Sequence, residues 1–136
     1  MRAVRFITLL AFSLCCFAAD PVSVPLRGKL VQETGKPPAI ESSNGKRIAL
    51  SGDDPTLKVL NDDRLKGADL EVEGHFTTPD RFDVDHIHTR SLFVYKNGKR
   101  QMITYWCDVC YIRTYSPGKC WCCQKNTDLD PQDSEP

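Results

Sequence analysis

Seven cysteines stand in the 136-residue chain, and five of them fall between Cys107 and Cys123. They form two C-x-x-C pairs, Cys107/Cys110 and Cys120/Cys123, separated by nine residues, with Cys122 inside the second pair. A C-x-x-C places two sulfurs on one tight turn, and two such turns facing each other surround one ion with four thiolates. The intervening loop ends in Ser116-Pro117-Gly118-Lys119, which sets a turn just before the second pair. Four sulfurs fill a tetrahedral coordination sphere and leave no position for water, so the chemistry expected is structural metal binding rather than catalysis. The candidate ligands are Cys107, Cys110, Cys120 and Cys123. Cys122 occupies an intervening position and is expected to point elsewhere, as a spare thiol.

Two other chemistries compete. The same cysteines can close as disulfides, local or crossed, leaving Cys122 free, and small exported domains often rely on such staples. A redox-active C-x-x-C is the third reading, but no thioredoxin-like strand-helix context surrounds Cys107. His86 and His88 form an H-x-H pair on a predicted strand and are secondary candidates, for a second metal site or an added ligand to the cysteines. They share that face with Phe82 and Val84, so continuation of a barrel wall is the plainer account of both. Tyr105, Trp106, Tyr111, Tyr115 and Trp121 crowd the cysteines and are expected to shield the sulfurs from water. The sequence contains no nucleophile-base motif, no phosphate loop and no carboxylates paired with a histidine, and no enzymatic activity is expected.

The first nineteen residues read as a secretory signal: Arg2 and Arg5, an apolar run from Phe6 to Phe17, then Ala18-Ala19 before Asp20. The run is too short to span a membrane comfortably, and no other long apolar segment follows, so no membrane span is expected after cleavage. The mature chain is expected in the periplasm or the medium, a compartment that permits disulfides, with five cysteines remaining. Loss of Arg2 and Arg5 leaves 16 basic against 18 acidic residues, which disfavours a general nucleic-acid partner. A metal ion is one expected partner; an unnamed protein or small ligand of the folded domain is the other.

The elements that must position the cysteines are mostly strands. Leu26, Gly28 and Leu30 alternate with basic residues, and Gly35-Lys36-Pro37-Pro38 breaks that strand. Residues 39–41 and 46–50 flank Asn44-Gly45, a hairpin signal. Asp53-Asp54-Pro55 reads as a helix start with a carboxylate cap, Leu57, Leu60 and Leu65 face inward, and Gly67 ends the unit. Leu70, Val72, Gly74 and Phe76 alternate against Glu71, Glu73 and His75, and Phe82 and Val84 open a further strand. The expected core is Leu30, Ile48, Leu70, Val72 and Phe76.

Strand, strand, strand, short helix, strand, strand is the order of a five-stranded OB-like barrel; an immunoglobulin-like sandwich would need more strands and no helix. Residues 22–90 are assigned to this barrel, and Val24 to Ile87 resembles the small OB-like domains of exported bacterial proteins, including the run Arg47-Ile48-Ala49-Leu50-Ser51-Gly52-Asp53. Residues 91–123 are assigned to a hairpin and a Cys-rich knuckle. Asn97-Gly98 sets that hairpin with Phe93 opposite Met102, and its returning strand runs into Cys107. Lys96, Lys99 and Arg100 are expected to be a solvated basic face. Residues 124–136, acidic and proline-rich, are expected to form a mobile tail.

The segment Tyr105 to Pro131 resembles the heavy-metal-binding module of bacterial copper-transporting ATPases and metal-efflux adaptors. Cys107 matches that module's first cysteine, Cys110 stands where it has histidine, Pro117-Gly118-Lys119-Cys120 matches its turn and third ligand, and Cys123 its fourth. Leu129-Asp130-Pro131 matches its ending at a longer distance. Asp108-Val109 and Gln124-Lys125 depart from it, removing the methionine that suits Cu(I). With the histidine exchanged for a thiolate, the expected cofactor is zinc in a closed Cys-four site, with copper second. The function expected is an exported binding or structural protein; the alternative is an exported thiol protein that exchanges disulfides or hands over metal.

Overall fold

The computed structural model describes residues 21–86 and 90–134. The expected signal segment and His88 lie outside the described residues. Strands β1 (Val24–Val31), β2 (Ala39–Glu41), β3 (Arg47–Ser51), β4 (Asp69–Thr78) and β5 (Arg81–Val84) make the first half of the chain, with helix α1 (Asp54–Leu60) between β3 and β4. β1 pairs antiparallel with β2 and β4, β2 with β3, and β4 with β5; β3 runs parallel to β5 and closes the ring. This is the five-stranded OB-like barrel that the element order predicts.

Glycine is required where the barrel wall folds most tightly. A Cβ on Gly28 would run into the Glu41 carbonyl and the Ile40 side chain, and one on Gly74 into the Asp83 carbonyl. Helix α1 starts where its cap chemistry dictates: the Asp53 carboxylate accepts from the Thr56 N–H at 2.9 Å, and Pro55 sits in the first turn. The helix closes one end of the barrel with Val59 and Leu60, and Leu65, in a short 3-10 turn at Asp63–Leu65, joins them in the core. Leu57 is only partly buried against the same cluster.

Leu30, Ile48, Leu70 and Val72 are core residues as expected, but Phe76 is not: it is 46 % exposed. β4 runs beyond the barrel end there and is bulged between Phe76 and Thr78. Its cross-strand partner Phe82 takes the buried place, fully enclosed, with Phe76 edge-on to it at 5.0 Å.

Strands β6 (Leu92–Lys96) and β7 (Lys99–Met102) form the second hairpin in the expected register, Phe93 opposite Met102. Asn97 and Gly98 both take positive φ, 51° and 75°, as a two-residue primed turn needs. The hairpin is not a separate layer. One edge of β4 carries β1; the other carries β5 from Gly74 onward and β6 along Leu70–Val72. Leu92, Val94, Ile103 and Tyr105 therefore extend the barrel core toward the cysteines. Arg100 departs from the expected solvated basic face. It lies over the Phe93 ring at 3.4 Å and pairs with Glu71 and Glu73 at 2.8 and 2.9 Å.

The last part of the chain also departs from expectation. Residues 124–134 contain β10 (Asp128–Leu129) and β11 (Gln132–Asp133), which pair with β8 (Tyr105–Cys107) and β7 respectively. The expected tail is thus stitched into both sheets, because its backbone completes the open edges of β7 and β8 although its side chains are polar. β8 lies between β10 and β9 (Ile112–Thr114) in a small second sheet. Among the described residues no helix is long and apolar enough to cross a membrane.

Candidate metal centre

Each C-x-x-C forms the tip of a hairpin. Cys107 is the last residue of β8 and pairs with Ile112 of β9, leaving residues 108–111 as the turn. In that turn the Tyr111 N–H donates to the Cys107 carbonyl at 2.9 Å, and Tyr111 takes a φ of 55°. The second tip repeats this. Lys119 bridges to Asn126, the Cys120 N–H donates to the Lys125 carbonyl at 2.7 Å, the Gln124 N–H donates to the Cys120 carbonyl at 2.9 Å, and Gln124 has a φ of 61°. In both, the residue after the second cysteine turns left-handed and bonds back to the first. Holding a non-glycine residue there costs energy, so each turn is over-determined by its hairpin.

The two tips face each other. Cys107, Cys110, Cys120 and Cys123 present sulfurs that all lie within 4.8 Å of one another, with Cys107 Sγ and Cys123 Sγ 3.5 Å apart. A tetrahedral zinc site with arms of ~2.3 Å puts its sulfurs ~3.8 Å apart, so these residues fit one such ion. All five described cysteines are free thiols, and no disulfide joins any pair among the described residues. Cys107 and Cys120 are each 1 % exposed, whereas Cys110 and Cys123 are half-buried and Cys122 is exposed.

The local backbone favours thiolate at the inner positions. At Cys120 the N–H groups of Cys123 and Cys122 hydrogen-bond the sulfur and bring its pKa down to about 7. At Cys107 the N–H groups of Cys110 and Val109 act the same way, but burial and the sulfurs of Cys123 and Cys120 raise it overall. Cys110 is pushed well up, by the Cys122 side chain first and then by burial and Cys123. Four clustered sulfurs cannot all ionise unaided, and a cation of charge two relieves that conflict. A closed set of thiolates offers tight binding and no open position for a reacting water.

Cys122, expected as a spare thiol, is exposed and stands outside the group of four sulfurs. His86 is elsewhere: it lies beyond β5, its Nδ1 3.0 Å from the Asp53 carboxylate at the start of α1. The expected aromatic shield is partial. Trp106 is half-buried, edge-on to Tyr111 at 6.1 Å and under the Arg113 guanidinium at 4.9 Å. Tyr111 and Trp121 are open to solvent, at 77 % and 73 %.

Spacing gives no signal for the residues that fasten the knuckle to the barrel. Tyr105 is wholly buried and donates its hydroxyl to Asp62 at 2.9 Å. Arg64 holds the same carboxylate at 2.8 Å and donates to the Thr127 carbonyl at 3.1 Å, tying barrel to second tip. Arg113 donates to Thr104 Oγ1 at 2.7 Å and pairs with Asp130 at 2.8 Å. Burial raises the Asp62 carboxyl, but Arg64 and Tyr105 outweigh it and hold it below the usual carboxylate range.

Fold and site together define a small OB-like barrel that carries a four-cysteine candidate metal centre on two hairpin tips. Comparison with known proteins finds no matching family model, no matching curated protein and no matching solved structure.

Proposed function

We propose that the chain is an exported, non-enzymatic binding or scaffold protein whose barrel presents a structural zinc centre held by Cys107, Cys110, Cys120 and Cys123. The observation that carries this reading is the convergence of these four sulfurs within 4.8 Å, from two turns of one repeated geometry. Zinc is favoured over other soft ions because four thiolates and a closed sphere suit it; copper, as Cu(I), is the second candidate. Export is supported by the charged start and apolar run of residues 1–19. The likeness of Tyr105–Pro131 to the heavy-metal-binding module supports the same assignment, and Leu129 at its ending packs against the core beside β8.

The barrel supplies the rigid base, since ligands at hairpin tips hold geometry only if the hairpins are anchored. Replacing Cys107, Cys120 or Cys123 by serine should remove bound zinc and loosen Tyr105 to Cys123, while the barrel keeps its circular-dichroism spectrum. Survival of full zinc content in all three variants would sink this assignment. One observation favours a second reading, metal handover rather than a purely structural centre: Cys122, inside the second cysteine turn, is an exposed thiol.

A further inference from the structure

Both cysteine turns carry large apolar side chains into solvent. Val109 stands inside the first turn, Tyr111 closes it, and Trp121 stands inside the second; all three are exposed. They flank four sulfurs that lie within 4.8 Å of one another, so they share one end of the molecule. That end is also basic. Residues 105–126 hold three basic residues and one acidic, against 13 basic and 17 acidic in the rest of the chain from Asp20. Lys119 and Lys125, on either side of the second turn, are both exposed. The thiolates of a loaded centre add negative charge, but on buried or half-buried residues, whereas the two lysines hold theirs at the surface.

We propose that the two cysteine turns are a docking tip for an anionic lipid surface, with Val109, Tyr111 and Trp121 entering the headgroup boundary and Lys119 and Lys125 meeting lipid phosphates. Trp and Tyr favour that boundary because each joins an apolar ring to a polar edge. Lysines beside it are drawn in by the negative surface potential. The backbone of the tip is suited to losing water. The Tyr111 and Gln124 N–H groups bond to the carbonyls of Cys107 and Cys120, and the Cys120 N–H bonds to the Lys125 carbonyl. A protein partner fits less well. The two rings and Val109 expose on the order of 400 Å², about half of the ~800 Å² that each side of a stable protein interface buries. A bilayer accepts shallow insertion of a small apolar area and adds the charge attraction to it. Docking of this kind is peripheral, and it needs both turns in place but no particular ion between them.

The test sediments the chain from Asp20 onward with vesicles of equal parts phosphatidylglycerol and phosphatidylcholine, and with vesicles of phosphatidylcholine alone. Wild type should pellet with the first and far less with the second. Both tryptophans, Trp106 and Trp121, lie in the knuckle, so bromine on the acyl chains of the anionic vesicles should quench the emission. Trp121→Ala/Tyr111→Asn should lower the partition coefficient at least about tenfold; asparagine tolerates the φ of 55° at position 111. Lys119→Glu/Lys125→Glu, which leaves the rings in place, should lower it by at least about tenfold as well. Lys96→Glu/Lys99→Glu, the same charge change on the exposed β6–β7 tip, should lower it much less. Wild type that ignores anionic vesicles overturns the proposal, as does binding without quenching or binding that the aromatic variant leaves unchanged. Equal losses from the two lysine pairs would show diffuse charge attraction and overturn it too. A chain that leaves vesicles alone but dimerises through Trp121 and Tyr111 would assign the tip to a second copy, again against the proposal.

Discussion

The hydroxyl of Tyr105 donates to the carboxylate of Asp62 across 2.9 Å, joining the residue that opens the cysteine knuckle to the turn that closes the barrel. The Asp62 side chain is 7 % exposed, and its other main partner is Arg64, whose guanidinium also faces the Tyr105 ring at 5.2 Å. Removing the hydroxyl strands part of a buried carboxylate. Tyr105→Phe should therefore cost about 1–3 kcal/mol in urea unfolding while leaving the cysteine geometry in place. An unchanged midpoint would show that the link carries no stability.

Acid should loosen the start of α1. Asp53 has its pKa lowered to about 2 from 3.8, chiefly by its bond to Thr56, with His86 assisting. A carboxylate depressed in the folded state stabilises fully above its ordinary value, and that contribution disappears as pH falls toward the folded value. The expected loss lies between about pH 4 and pH 2, read as a falling melting temperature. Asp53→Ala should flatten that part of the profile and cost about 1 kcal/mol at neutral pH. An identical acid profile for the variant would contradict the assignment.

Gly74 sits where β4 meets both β1 and β5, paired with Val24 and Val84. Because a Cβ there meets the Asp83 carbonyl backbone, which has little room to move, Gly74→Ala should destabilise by about 3 kcal/mol. Thermal unfolding checks this. A neutral effect would mean that the barrel wall is less tightly folded at this point than the register implies.

Without Arg2 and Arg5 the chain carries 16 basic and 18 acidic residues, and Arg100 is committed to Glu71 and Glu73. Binding to a single-stranded oligonucleotide should be weak and should vanish with added salt. Sub-micromolar affinity at physiological salt would overturn the expectation of a protein or small ligand for the barrel.

What could be read in the sequence was whatever depends on local chemistry. The Asp53 cap with Pro55, the Asn97-Gly98 turn and the alternation through Leu70 and Val72 fix their elements with little help from the rest of the molecule. The four converging cysteines were legible for the same reason, since C-x-x-C spacing prescribes a turn. Phe76 was misplaced because alternation assigns a face but not the point where a strand leaves the barrel. Asp128–Leu129 and Gln132–Asp133 were missed because their pairing satisfies the edges of other strands, a need invisible in their own polar side chains.

The most direct measurement of the central claim is the native mass of the chain from Asp20 onward, taken with and without chelator and after thiol alkylation. The account predicts an excess of one zinc ion that chelator removes, with no hydrogens lost from the cysteines and all five thiols open to alkylation once the zinc is gone. A metal-free chain lighter by the hydrogens of one or two disulfides, with only three thiols or one open to alkylation, would contradict it.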